Sequence, residues 1–191
     1  MLKPSSMAKV VAASVILSAS SAVLAGDAYM GASIGFADYE EKWQDLDLSD
    51  EVIAVDSTLT TVNIRVGKEI SPYFAAEVRL GAGLGHDQID VDGIETIAEM
   101  SVREIYGAYI RGGYPVAEGY FPYLVVGYTQ STFKAELYGL EAKGELGGVS
   151  FGVGLDIDVG SDITANFEYM DYFDTVGVQV TGFTLGVAKS F

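Results

Sequence analysis

Val180-Thr181-Gly182-Phe183-Thr184-Leu185-Gly186-Val187-Ala188-Lys189-Ser190-Phe191 is the stretch whose alternation decides the fold. In an extended strand Phe183, Leu185, Val187 and Phe191 fall on one side, and Gly182, Thr184, Gly186, Ala188 and Ser190 on the other. An apolar face opposite small and polar residues, ending on an aromatic, suits a strand between lipid and a barrel interior. Lys189 interrupts the apolar side. Near an interface its ammonium can snorkel to water.

Seven more period-two segments lie upstream. The first three cover about 29–37, 59–68 and 73–84. They set Met30, Ala32, Ile34 and Phe36 against Tyr29, Gly31, Ser33 and Gly35; Val62, Ile64 and Val66 against Asn63, Arg65 and Gly67; and Val78 and Leu80 against Glu77 and Arg79. The next four cover about 101–112, 123–132, 146–158 and 163–173. There Tyr106, Ala108 and Ile110 oppose Gly107, Tyr109 and Arg111, while Leu124, Val126 and Tyr128 face lipid. Val149, Phe151 and Val153 oppose Ser150, Gly152 and Gly154, and Phe167 and Tyr169 oppose Asn166 and Glu168. Alternation of this kind marks half-buried strands.

The connections alternate as well. Residues 68–72, 113–122 and 159–162 are turns rich in Gly, Pro, Ser and Asp, while 38–57, 85–100, 133–145 and 171–178 are longer or more polar and read as loops. Short periplasmic turns alternating with longer extracellular loops predict an all-β, eight-stranded antiparallel up-and-down transmembrane barrel. An even strand count puts both strand termini on the periplasmic side.

The N-terminal segment has the order of an export signal. Lys3 and Lys9 precede an apolar run from Val10 to Leu24, and Val23-Leu24-Ala25 precedes Gly26. Residues 1–25 are therefore expected to be a cleaved signal peptide and 26–191 the barrel domain. The alternative, a retained membrane helix, needs a run of about 20 apolar residues. Cleavage would leave nine basic residues against 27 acidic ones, a net charge of −18 where the whole chain carries −16. That balance argues against nucleic-acid binding, which needs basic patches. Without cysteine, stability must come from strand pairing and packing.

Aromatic placement supports a membrane setting. Tyr29, Phe74, Tyr114, Phe121, Tyr123 and Phe191 fall near the periplasmic strand ends, and Phe36, Tyr128, Phe133, Tyr169, Tyr172 and Phe173 near the opposite ends. Two interfacial girdles would produce this distribution. A soluble lipocalin-like barrel would carry its polar residues outside; here mid-strand charges share a side with glycines.

Arg65, Arg79 and Arg111 are expected to face inward with Glu77, Asp156 and Glu168. An eight-stranded barrel has an interior that side chains just fill. The favoured reading is a structural ion cluster, and the alternative a gated, narrow ion path. Asp158, near the periplasmic end, is expected to be solvated.

The loop stretches are acidic, with Lys42 the lone basic residue between Asp38 and Asp56. Asp90-Val91-Asp92-Gly93 with Glu99 matches part of a calcium-loop pattern, but Gln88 would occupy the first ligand position. No metal or cofactor site is expected. His86, the single histidine, lies beside Asp87 in a loop, and no nucleophile motif accompanies it. No catalytic residues are expected, and a lipid-A-modifying enzyme is the least favoured reading.

Tyr29–Phe36, Phe121–Tyr128, the glycine-rich 148–155 and the C-terminal strand resemble small outer-membrane proteins of the OmpA/OmpX type, the opacity-like "porin family" barrels. That resemblance implies a Gram-negative outer-membrane location. It also implies a role in envelope integrity or adhesion, and an assembly signal in Phe183, Leu185, Val187 and Phe191. The partners it implies are outer-membrane lipids and lipopolysaccharide, the barrel-assembly machinery and an unidentified surface ligand.

Overall fold

Side chains that alternate between two chemistries give each segment two faces, and a computed structural model shows how those faces close on themselves. It describes residues 27–44, 52–85, 87–91, 94–137, 140–175 and 178–191. The strands are β1 (Ala28–Gln44), β2 (Val52–Ser71), β3 (Phe74–Gly83), β4 (Asp87–Val91), β5 (Ile94–Gly113), β6 (Tyr120–Leu137), β7 (Leu140–Gly160), β8 (Ile163–Thr175) and β9 (Val178–Ser190). All neighbours pair antiparallel. β3 and β4 both lie between β2 and β5, so they are two pieces of one stave.

Closure comes from β1. It pairs with β2 from Ala28↔Lys68 to Gln44↔Val52 and with β9 from Tyr29↔Ser190 to Glu41↔Val178. The result is an eight-stranded, antiparallel, up-and-down closed barrel without a free edge. Both Asp27 and Phe191 lie at one end, called the termini end below.

The turns at that end are short: Pro72-Tyr73, residues 114–119 and Ser161-Asp162. Ser161 and Asp162 both have positive φ (59° and 61°), the geometry of a two-residue type I′ hairpin. At the far end the expected loops are largely strand. The β1–β2 ladder continues to Gln44↔Val52, β6–β7 to Leu137↔Leu140, β4–β5 to Val91↔Ile94 and β8–β9 to Thr175↔Val178. Of the calcium-like stretch, Asp90 and Val91 lie on β4 and Glu99 on β5, with Asp90 opposite Glu95, while Asp92 and Gly93 lie outside the described residues. His86 lies outside the described residues.

Those extensions escaped the alternation because the barrel reverses its polarity there. Along the lower wall the outward residues are apolar, and the last of them are Phe36, Tyr106, Tyr128, Tyr169 and Phe183, all exposed. The next outward positions are Asp38, Glu104, Gln130, Asp171 and Thr181. Inward positions change the other way: Tyr39, Leu59, Val102, Phe133, Phe173 and Val180 are buried. The far half is built like a water-soluble barrel standing on a lipid-facing one.

The two aromatic girdles need correcting accordingly. Tyr29, Tyr123, Phe133, Tyr172 and Phe173 are buried inside rather than set in an outer belt. For Tyr172 and Phe173 the reason is a bulge: Asp171 pairs with Thr181 but Phe173 with Val180, leaving Tyr172 as the extra residue. Tyr73, Phe74, Tyr114, Tyr120 and Phe191 are the exposed aromatics of the termini end.

Candidate functional site

The bore has three layers, each set by the size and chemistry of its inward residues. At the termini end those residues are small (Ala75, Thr164, Ala188, Ser190), and they leave an open vestibule of about 330 Å³. In the middle they are arginine, carboxylate and tyrosine. Toward the far end they become hydroxyls and then large apolar groups.

Arg65, Glu77, Arg79, Arg111, Asp156 and Glu168 are brought into one network in the middle layer. Glu77 accepts from Tyr29 Oη at 2.5 Å, from Arg79 Nε at 2.7 Å and from Arg111 Nη1 at 3.0 Å. Glu168 grips Arg79 through both oxygens, with Arg79 Nη2 at 3.0 Å, and accepts from Tyr123 Oη at 2.9 Å. Asp156 receives Arg111 Nη2 on one oxygen and Asn166 Nδ2 at 2.7 Å on the other. Asn166 also donates to Tyr123 Oη at 2.6 Å, which closes the ring of contacts. Three positive and three negative charges balance, and buried charges held by several short bonds offset their desolvation.

Tyrosine rings wall the cluster. Arg79 lies 4.5 Å from the Tyr109 ring centre and Arg111 3.9 Å from that of Tyr123. Each of these tyrosines faces a glycine across its ladder: Tyr29↔Gly67, Tyr109↔Gly127 and Tyr123↔Gly154. A Cβ at Gly67 or Gly154 would lie 2.2 Å from the opposing ring, a clash. Glycine therefore lets the ring lie flat on the strand and aim its hydroxyl at a carboxylate. Tyr29, Tyr109, Tyr123 and Asn166 were not expected as cluster members. The inward alternation signalled them, but the tyrosine–glycine pairing becomes visible only once the register is known.

Above the cluster a 30 Å³ cavity beside Asn63, Arg79, Glu168 and Thr184 is polar enough to hold water. A hydroxyl belt follows: Tyr109 Oη and Thr129 Oγ1 at 2.6 Å, Thr129 and Ser150 at 2.5 Å, and Ser150 donating to the Tyr172 carbonyl at 2.5 Å. Beyond it Met170, Phe173, Phe133 and Val180 pack as an apolar layer, with Tyr39 edge-on to Phe133 at 5.5 Å. The bore is thus filled at two levels by unlike chemistries.

Asp158 is exposed at the termini end, where it caps its own turn by accepting from Gly160 N at 2.7 Å. On β9, Phe183, Leu185 and Val187 face outward. Phe191 follows the strand and donates its N–H to the Ala28 carbonyl at 3.0 Å. At the far end Lys134 bridges Glu136 at 3.1 Å and Glu141 at 2.8 Å. These hydrogen bonds raise the Lys134 ammonium pKa, and the bond from Lys134 is the main cause lowering that of Glu141.

Residues 8–191 match the family described as the outer membrane protein beta-barrel domain. No curated protein matches the sequence. Among solved structures, Neisserial surface protein A is similar with a TM-score of 0.60 and 14% identity, over 87% of this chain and 98% of that one. OprG of Pseudomonas aeruginosa gives 0.56 and 15%, over 85% and 95%. Ail, the attachment invasion locus protein of Yersinia pestis, solved with the heparin analogue sucrose octasulfate, gives 0.53 and 14%, over 86% and 99%. At these identities the likeness is one of fold.

Proposed function

The chain belongs to the outer-membrane β-barrel family, and on that premise we propose that it acts as a structural or surface-interaction barrel whose working surface is its far end. The observation that carries this reading is the filled bore. A charge-balanced cluster and an apolar layer occupy the two levels that a solute would have to pass. With the interior spent on stability, contact falls to the outside wall and the raised hairpins.

The polarity reversal supports an orientation with the far end at the cell surface and the termini end in the periplasm. The apolar wall below Phe36, Tyr128 and Phe183 suits lipid, and the polar wall above it suits water and lipopolysaccharide. Lys134, Lys143 and Arg103 project from three adjacent staves there, with Lys134 opposite Lys143 across the β6–β7 ladder. Lys134 is held between Glu136 and Glu141, which leaves Lys143 and Arg103 as the cations above the apolar belt that suit anionic groups of lipopolysaccharide. Residues 1–25 serve as the cleaved export signal in this reading, and the outward row Phe183, Leu185 and Val187 with Phe191 as the mark read by the assembly machinery. No catalytic step is assigned.

Expression with fractionation tests the reading. The protein should partition with the outer membrane, begin at Gly26, and migrate faster unheated than boiled on detergent gels. A soluble periplasmic protein with no mobility shift would overturn it.

A further inference from the structure

Arg65 differs from its partners. Arg79 and Arg111 each make close hydrogen bonds to two carboxylates, whereas Arg65 reaches Glu77 only at 3.9 Å and Asp156 at 3.8 Å. Among the described residues it donates no hydrogen bond, although nine-tenths of its side chain is buried. The carboxylate oxygens nearest to it already hold other donors. Glu77 is engaged by Tyr29, Arg79 and Arg111, and Asp156 by Arg111 and Asn166. Burying guanidinium donors without acceptors is costly, so a fork left open beside a cavity is a site in want of an acceptor.

That cavity is the vestibule, and its chemistry narrows the ligand. Arg65 forms part of its inner wall beside Tyr29, Arg111 and Asp156, and Ala188 leaves the room. At about 330 Å³ it falls in the range of small-molecule sites, roughly 300–1,000 Å³. Nearer the mouth stand Glu69 and Asp158, both exposed. Because the cluster is charge-balanced, a guanidinium that pairs only at long range and donates no hydrogen bond suits the carboxylate of a net-neutral ligand. Two carboxylates at the entrance oppose a dianion such as phosphate and favour a cationic group.

We propose that the vestibule binds a small zwitterion of amino-acid to dipeptide size, its carboxylate on Arg65 and its ammonium toward Glu69 and Asp158. The carboxylate supplies the two acceptors that a guanidinium fork takes side by side. The ligand would enter from the termini end and go no further, because the cluster closes the bore above it. The same chemistry is offered by a free amino acid and by the two ends of a short peptide.

Amide and arginine Nε–H NMR of the refolded barrel in micelles tests this, with glycine, glycylglycine, N-acetylglycine, glycinamide and inorganic phosphate as probes. Saturable shifts at Arg65, Ala75 and Ala188 are expected with a zwitterion, and whichever of glycine and glycylglycine binds more tightly identifies the source. N-acetylglycine, lacking the ammonium, should bind about fivefold more weakly. Glycinamide, lacking the carboxylate, should bind more than about tenfold more weakly. Arg65→Gln should abolish the shifts in a barrel that still shows the heat-modifiable form. Should that variant not fold, Glu69→Gln at the exposed mouth decides: it should weaken glycylglycine, whose ammonium loses a partner, while N-acetylglycine binds at least as tightly as before. No saturable shift, an equal response to phosphate, or shifts that persist in folded Arg65→Gln would overturn the proposal.

Discussion

Glu77 is the residue on which the cluster turns. Its two oxygens hold one tyrosine and two arginines directly and a third arginine at longer range. Glu77→Ala would leave three buried cations facing two carboxylates. Removing one partner of a buried pair costs about 3–5 kcal/mol, so urea unfolding of the refolded variant should show a loss of that order. Asp158→Asn, at an exposed turn carboxylate, should change stability by no more than about 0.5 kcal/mol in the same assay. The six charges were legible in the sequence because each shares a strand side with glycine or another polar residue. The tyrosines that complete the network were not, because an aromatic near a strand end suits either a girdle or the bore. Only the opposing glycine, 38 residues away in sequence for Gly67 and 31 for Gly154, decides between them.

The β7–β8 turn places Ser161 and Asp162 at positive φ, where a side chain is strained. Asp162→Gly should stabilise the barrel by up to about 1 kcal/mol, read as a higher unfolding midpoint. In the far half, Phe173 is fully buried in the apolar layer. Phe173→Ala should open a cavity and cost about 3–5 kcal/mol by the same unfolding measurement, while leaving the ion cluster intact. Strand lengths were the least legible feature. Alternation of apolar outside with polar inside ends at the polarity reversal, whereas backbone pairing continues as far as the hydrogen bonds can be made. The bulges at Val102/Glu104 and Asp171/Phe173 add a second obstacle, since one extra residue shifts the phase of the pattern. At the termini end, by contrast, Pro72, the Gly-Pro stretch after Gly113 and Gly160-Ser161-Asp162 announced their turns directly.

The C-terminal strand β9 closes the barrel against β1. Its small face (Gly182, Gly186, Ala188) lets β1 and β8 approach, and its apolar face joins a continuous wall. That wall should reject charge in proportion to depth. Val78→Arg, midway along the outward row of β3, should cost about 2–4 kcal/mol in bilayers, and Thr132→Arg, above the aromatic ring, close to nothing. The ion cluster and the apolar layer together close the bore to passage. Planar-bilayer recording of the purified, refolded full barrel tests that claim most directly. Silent bilayers with the barrel shown to be inserted would support the account; discrete conductance steps from the unmodified protein, altered when Arg65, Arg79 or Arg111 is neutralised, would contradict it.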